Sequence, residues 1–179
     1  MKKQVRSTLR ARRRHVAAGR DPSADSAALA QQVQPLLDHF GLGPGSSVTS
    51  YAAVPGEPPT DGLAAALAAR GIRVLLPITL PDLDLDWHEA GDGGRTPLGH
   101  DAIAGVDLVI APGLSVDARG TRMGQGGGCY DKALPRRRPG VPVVVVLHPG
   151  ELSEEALPRE AHDVPVDAVL TADGLRELR

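Results

Sequence analysis

Two apolar runs constrain this chain more than any other feature. "VDLVIAP" at 106–112 and "VPVVVVL" at 141–147 show almost none of the polar alternation of a strand with one wet face. Strands of this kind are covered on both sides, as in a parallel sheet held between layers. "IRVLLP" and "DAVLT" read as further strands, "LDLDWHE" alternates like another, and "SVTSYAAV" is β-rich until "PGEPP" breaks it. Helical segments separate them. "KKQVRSTLRARRRHVAAG" puts Val5, Leu9 and Val16 on one side, with Gly19 as its stop. "DPSADSAALAQQVQPLLDHFG" reads as a second helix kinked at Pro35, and "TDGLAAALAARG" as a third, capped by Thr60 or Asp61. Strand and helix alternate, so the expected fold is a three-layer α/β sandwich around a largely parallel sheet, with a basic N-terminal helix.

Composition narrows the field. The 179 residues suit a single domain spanning 1–179, and 41% of them are hydrophobic. Only Trp87, Tyr51, Tyr130 and Phe40 are aromatic, so Ala, Val and Leu must fill the core. Modules that stack nucleic-acid bases on aromatic rings lose support, and no nucleic-acid partner is expected. No apolar run approaches the ~18 residues of a membrane span, so no membrane partner is expected either. The single cysteine, Cys129, excludes an internal disulfide, and no Cys/His spacing suits zinc. The start lacks the apolar stretch of a secretory signal, and a cytoplasmic monomer is expected.

Residues 1–20 hold eight of the twenty Lys and Arg and none of the twenty-two acids. The arm reads first as a solvated helix, and otherwise as a nucleic-acid-binding or targeting segment or as a source of charge for a phosphorylated ligand. In the last reading Lys2, Arg6, Arg10 and Arg13 share one helical face.

"GTRMGQGGGCYD", Gly120 to Asp131, carries five glycines in twelve residues. Bare backbone costs folding entropy, so it calls for a reason. The stretch follows the strand ending near Ala111 and leads into a helix, "CYDKAL". Strand end, glycine loop and helix start together make an anion site, with free N–H groups and a favourable dipole. Arg122 adds a donor fork suited to phosphate. The loop is not a P-loop, because Gly-Gly-Cys stands where Gly-Lys-Ser/Thr is needed, and its glycines lie too far from the strand for a dinucleotide fold. A phosphate cradle and a structural hairpin loop both remain open on these grounds.

"APGLSVDARGTRMGQGGGCYDKAL" resembles the signature of the 5-formyltetrahydrofolate cyclo-ligase (5,10-methenyltetrahydrofolate synthetase) family. "KKQVRSTLR" resembles that family's basic first helix, "SYAAVPGEPPTDGL" its strand-then-Glu segment, and "LPREAHDVPVDAVLT" its closing stretch. The resemblance implies ATP-dependent closure of 5-formyltetrahydrofolate to 5,10-methenyltetrahydrofolate, with ATP and a reduced folate as the small-molecule partners. It implies that Arg122, Met123, Gly124, Gln125, Gly126, Gly127, Gly128, Cys129 and Tyr130 hold ATP, joined by Lys2 and Arg6, with Arg122 catalytic. Val54 and Glu57 would face the folate together with Gln125 to Cys129. Asp131 and Asp163 would hold Mg²⁺.

The same residues have plainer explanations. Arg122 is explained as a surface residue, Asp131 as a first-turn acid, Asp163 as a turn former, Glu57 as a loop acid and Cys129 as a packing residue. The chain also departs from the family pattern. Cys129-Tyr130 replaces a Tyr pair, Gln125 stands where a basic residue is usual, a Gly-Ile-x-Glu-Pro segment is missing, and "LHPGEL" lacks a common Gln. Alternatives to the cyclo-ligase are an ATP-binding paralogue acting on another small acid, and a nucleic-acid-binding protein using the basic helix.

Overall fold

The computed structural model describes residues 1–179. Its elements run α1 (Lys2–Ala18), α2 (Pro22–Gln31), α3 (Val33–Phe40), β1 (Ser47–Thr49), α4 (Asp61–Ala69), β2 (Arg73–Thr79) and β3 (Leu85–Glu89). A 3-10 turn at His100–Gly105 leads to β4 (Leu108–Pro112), β5 (Ser115–Asp117), β6 (Arg122–Met123) and α5 (Cys129–Ala133). Then follow β7 (Val143–Val146), β8 (Leu152–Ser153), β9 (Ala168–Thr171) and β10 (Gly174–Glu177).

Seven strands form the main sheet in the order β10-β9-β7-β4-β1-β2-β3. The five inner strands are parallel, and β3 and β10 close the edges antiparallel. The apolar runs lie at its centre for the reason their composition implies. Leu108, Ile110, Val144 and Val146 face one core, packed under Leu29, Val33, Leu36 and Leu37 of α2 and α3 and Leu63 and Leu67 of α4. Val109, Ala111, Val143 and Val145 face the other, with Trp87, Ile103, Tyr130, Ala133 and Leu134. Leu108 to Ala111 and Val143 to Val146 are therefore all buried, on alternate sides.

The expected second helix is two helices. The break falls at Gln32, ahead of Pro35, because proline has no N–H to offer the Gln31 carbonyl one turn earlier. Asp21 caps α2 by accepting the Ser23 N–H (3.0 Å), and Gly41 ends α3 in the left-handed region. "SVTSYAAV" is a strand only over Ser47–Thr49 before the chain turns outward.

The stretch between the strand end near Ala111 and the helix that follows the glycines is more than a loop. It holds β5 and β6, and β8 joins them in a separate three-stranded sheet ordered β6-β5-β8. Strands of two or three residues carry no readable periodicity. Buried Asp117 fastens this unit by accepting the N–H groups of Arg119, Thr121 and Leu157. No helix is long and apolar enough to cross a membrane.

Candidate functional site

In an open parallel sheet, ligands bind beyond the carboxyl ends of the strands, where the strand order reverses. Here the chain runs from β1 outward to β2 and β3, then returns to place β4 on the other side of β1. A cleft of about 280 Å³ lies at that point. Tyr51 and Ala52 follow β1 into its wall, Pro112 and Gly113 follow β4, and Pro77, Thr79 and Leu85 come from the β2–β3 hairpin. Every residue expected at the site from the sequence lines this one cleft. These are Lys2, Arg6, Val54, Glu57, the stretch Arg122 to Asp131, and Asp163.

The glycine loop forms the central wall. Gly126 (φ +109°) and Gly128 (φ +74°) occupy backbone conformations that side chains resist, which fixes them as glycine. Gly127 differs, because an added Cβ there would meet only the Cys129 sulfur, at 3.6 Å. Nothing within the protein requires Gly127 to be bare.

Arg122 is not a surface residue, since its side chain is 8% exposed. Its guanidinium donates to the Pro112 carbonyl and to Asp131 (both 3.2 Å) and lies 5.6 Å from the centre of the Tyr130 ring. Burial pulls its pKa below the ordinary guanidinium value, with the Asp131 charge opposing. The Met123 side chain packs under α1 with Leu9, Leu114 and Leu157, anchoring the loop. Cys129 is half-buried against the core, as a packing residue would be.

Helix α1 reaches over the same loop. Arg6 donates to the Gly124 carbonyl (3.2 Å), and Arg10 donates to the Gln125 side chain (3.0 Å) and carbonyl. A basic group from α1 thus lies against the residue that follows Gly124. Arg13 does not reach the cleft with a free charge. It is buried in a two-point pair with Glu151 (2.8 and 2.6 Å) and also donates to Gly113 (2.8 Å).

Lys2 bridges Asp163 (2.8 Å) and Glu160 (3.0 Å). Burial would lower the Lys2 pKa, but the two carboxylates outweigh it and raise it. At Asp163, burial acts upward and is overcome by Lys2 and the Glu160 N–H, which hold its carboxyl below the usual range. Asp163 thus forms a turn contact as well as facing the cleft. Ligand atoms of Asp131, His162 and Asp163 lie within 4.8 Å of one another. Two carboxylates at this spacing suit a hard divalent ion that completes its shell with phosphate oxygens and water. His162 was legible only as the residue before Asp163.

Glu57 is half-buried, and Oε2 accepts the Val54 N–H (3.0 Å). Burial raises its pKa. Tyr51 and Ala52 were not read as site residues, because the sequence does not show where "SVTSYAAV" stops being strand.

The model of the 5-formyltetrahydrofolate cyclo-ligase family matches residues 1–172. A 5-formyltetrahydrofolate cyclo-ligase of Mycolicibacterium smegmatis is 33% identical over 171 residues, covering 86% of this chain and 85% of that one. Two solved structures share the fold. A 5,10-methenyltetrahydrofolate synthetase from Mycoplasma pneumoniae has a TM-score of 0.75 at 16% identity, covering 96% of this chain and 98% of its own. The Aquifex aeolicus 5,10-methenyltetrahydrofolate synthetase has a TM-score of 0.70 at 22% identity, covering 98% and 93%. With the whole-chain match and the cleft at the sheet's switch point, this chain belongs to the 5-formyltetrahydrofolate cyclo-ligase family.

Proposed function

We infer that this enzyme uses ATP to convert 5-formyltetrahydrofolate into 5,10-methenyltetrahydrofolate, releasing ADP and phosphate. The observation that carries the reading is the convergence of the glycine loop, the basic start of α1 and Glu57 on one cleft in a chain of this family. The formyl oxygen attacks the γ-phosphorus and ADP leaves. The second folate nitrogen then attacks the formyl carbon, the five-membered ring closes and phosphate is expelled. No protein nucleophile is needed, and catalysis rests on positioning and charge, as is general for phosphoryl transfer.

In this reading the N–H groups of Gly126 to Gly128 and the Arg122 guanidinium hold the transferring phosphate. Arg122 is nearly dry, and a charge-assisted bond is stronger there than in water. Lys2 and Arg6 close the nucleotide side, and Glu57 accepts from the pterin N–H edge. Mg²⁺ would be held by Asp131 and Asp163 and would supply charge neutralisation at the phosphate oxygens. The nucleic-acid alternative is not favoured. Of the seven basic side chains of α1 from Lys2 to Arg14, Lys2, Arg6, Arg10, Arg12 and Arg13 are bonded within the protein, and Lys3 and Arg14 alone are not.

The test is the methenyl-folate absorbance with 5-formyltetrahydrofolate, with and without ATP-Mg²⁺. Strictly ATP-dependent appearance, with phosphate released in step, is expected. ATP hydrolysis without ring closure would point to the paralogue acting on another small acid.

A further inference from the structure

A tyrosine buried to the tip of its side chain needs a partner for its hydroxyl. Tyr51 has none. The residue is 5% exposed, and the hydroxyl oxygen is shielded from solvent and within reach of no donor or acceptor. Buried polar groups left in this state are few in native proteins, and each calls for an explanation. Phenylalanine would fill the same space without that cost, so it is the hydroxyl rather than the ring that needs one.

Its location supplies the explanation. Tyr51 stands just beyond the carboxyl end of β1, in the wall of the cleft, on the segment that carries Val54 and Glu57. Its position is fixed, because the Thr60 hydroxyl donates to its carbonyl. The Tyr130 hydroxyl, on another residue of the cleft wall, is also buried without a partner. Burial pushes both phenol pKa values up, which keeps the two hydroxyls neutral and able to donate. The Glu57 charge acts on the Tyr51 phenol, so the hydroxyl stands near the residue that faces the folate in the reading above.

We propose that Tyr51 determines specificity at the folate end of the cleft, its hydroxyl donating to the ring carbonyl oxygen of a reduced pterin. The inference rests on the cyclo-ligase reading and extends it. The pyrimidine edge of a pterin presents amino and N–H donors beside one carbonyl acceptor. A carboxylate such as Glu57 can only accept, so it satisfies the donors and leaves the carbonyl without a partner. A neutral tyrosine supplies the missing donor. Analogues without that carbonyl would leave the hydroxyl unpaired and be rejected.

The experiment is Tyr51→Phe, studied by steady-state kinetics and by thermal melting with and without 5-formyltetrahydrofolate. The expected result is a KM for 5-formyltetrahydrofolate raised about five- to tenfold, with kcat and the KM for ATP within about twofold. Without ligand the variant should melt no lower than wild type, since it sheds an unpaired buried hydroxyl. Its folate-induced rise in melting temperature should shrink. An unchanged folate KM overturns the proposal, as does a lower ligand-free melting temperature, which would mark the hydroxyl as structural. Failure of the wild-type protein to close the ring overturns the cyclo-ligase reading itself, and this inference with it. The two failures are thus told apart.

Discussion

Helix α1 and the three helices that follow it differ in what holds them to the rest of the protein. Helices α2, α3 and α4 are fixed by apolar burial, with Leu29, Val33, Leu36, Leu63 and Leu67 almost fully covered. Helix α1 buries Leu9 and little else that is apolar, in a cluster of four residues. It is fastened by charge instead, through Lys2 to Asp163, Arg6 and Arg10 to the glycine loop, and Arg13 to Glu151 and Gly113. Apolar burial is not screened by salt and offers a bound anion no partner. Charged contacts can be exchanged for others, and those of α1 lie beside the phosphate cradle proposed above. The difference separates a scaffold from a part of the site.

The largest effect should come from the one α1 contact that is buried. Arg13→Ala leaves Glu151 as an uncompensated charge, and a loss of about 3–5 kcal/mol of stability is expected. Chemical denaturation measures it, and a double change that also replaces Glu151 with an uncharged residue should recover much of the loss. A loss well under 1 kcal/mol for Arg13→Ala would show that α1 is not anchored there.

Leu63→Ala probes the other kind of fastening. A fully buried leucine cut to alanine should cost about 2–5 kcal/mol, with no change in the ATP requirement. A selective loss of ATP binding would break the division drawn between scaffold and site.

Lys2→Ala should show the reverse pattern. Melting without ligand should fall less than in Arg13→Ala, because the Lys2 pair is only part-buried and Asp163 keeps the Glu160 N–H. Apparent ATP affinity should fall tenfold or more, as removing a charge-assisted phosphate contact costs about 1.5–3 kcal/mol. Titration calorimetry with ATP-Mg²⁺ separates the two terms, and equal affinities would return Lys2 to a surface role.

The smallest effect lies at the junction of the two regions. Arg20, just past α1, pairs with Asp25 of α2 through two bonds of 2.7 Å. The Arg20 contact holds the Asp25 carboxyl below its ordinary range, against the opposing pull of burial. A carboxyl with a lowered folded-state pKa adds stability above its unfolded pKa. That contribution is lost as pH falls through the folded value. Asp25→Asn should therefore flatten the acid limb of the stability–pH profile and leave the lysine range unaffected. An unaltered acid limb would mean that the clasp contributes nothing.

The sequence by itself determined the layered α/β class. "VPVVVVL" is wholly apolar only because both faces of its strand are covered, and a strand's period of two makes that readable without coordinates. It also located the glycine loop between a strand and a helix, since a run of bare residues is a local feature. The short strands Ser115–Asp117, Arg122–Met123 and Leu152–Ser153 were beyond it. Segments that short have no pattern of their own, and only pairing with distant chain makes them strands. Nor could spacing along α1 separate Arg13 from Lys2, Arg6 and Arg10. All four share a helical face, yet Glu151, 138 residues away, takes Arg13 into the interior. The same holds for Tyr51, one of only two tyrosines in the chain, which became a cleft wall when β1 stopped at Thr49. Local pattern fixed which residues are apolar and where the backbone is bare. Which charges are spent inside the protein and which face a ligand was decided by contacts between segments far apart in the chain, and these exist only once the sheet has brought them together.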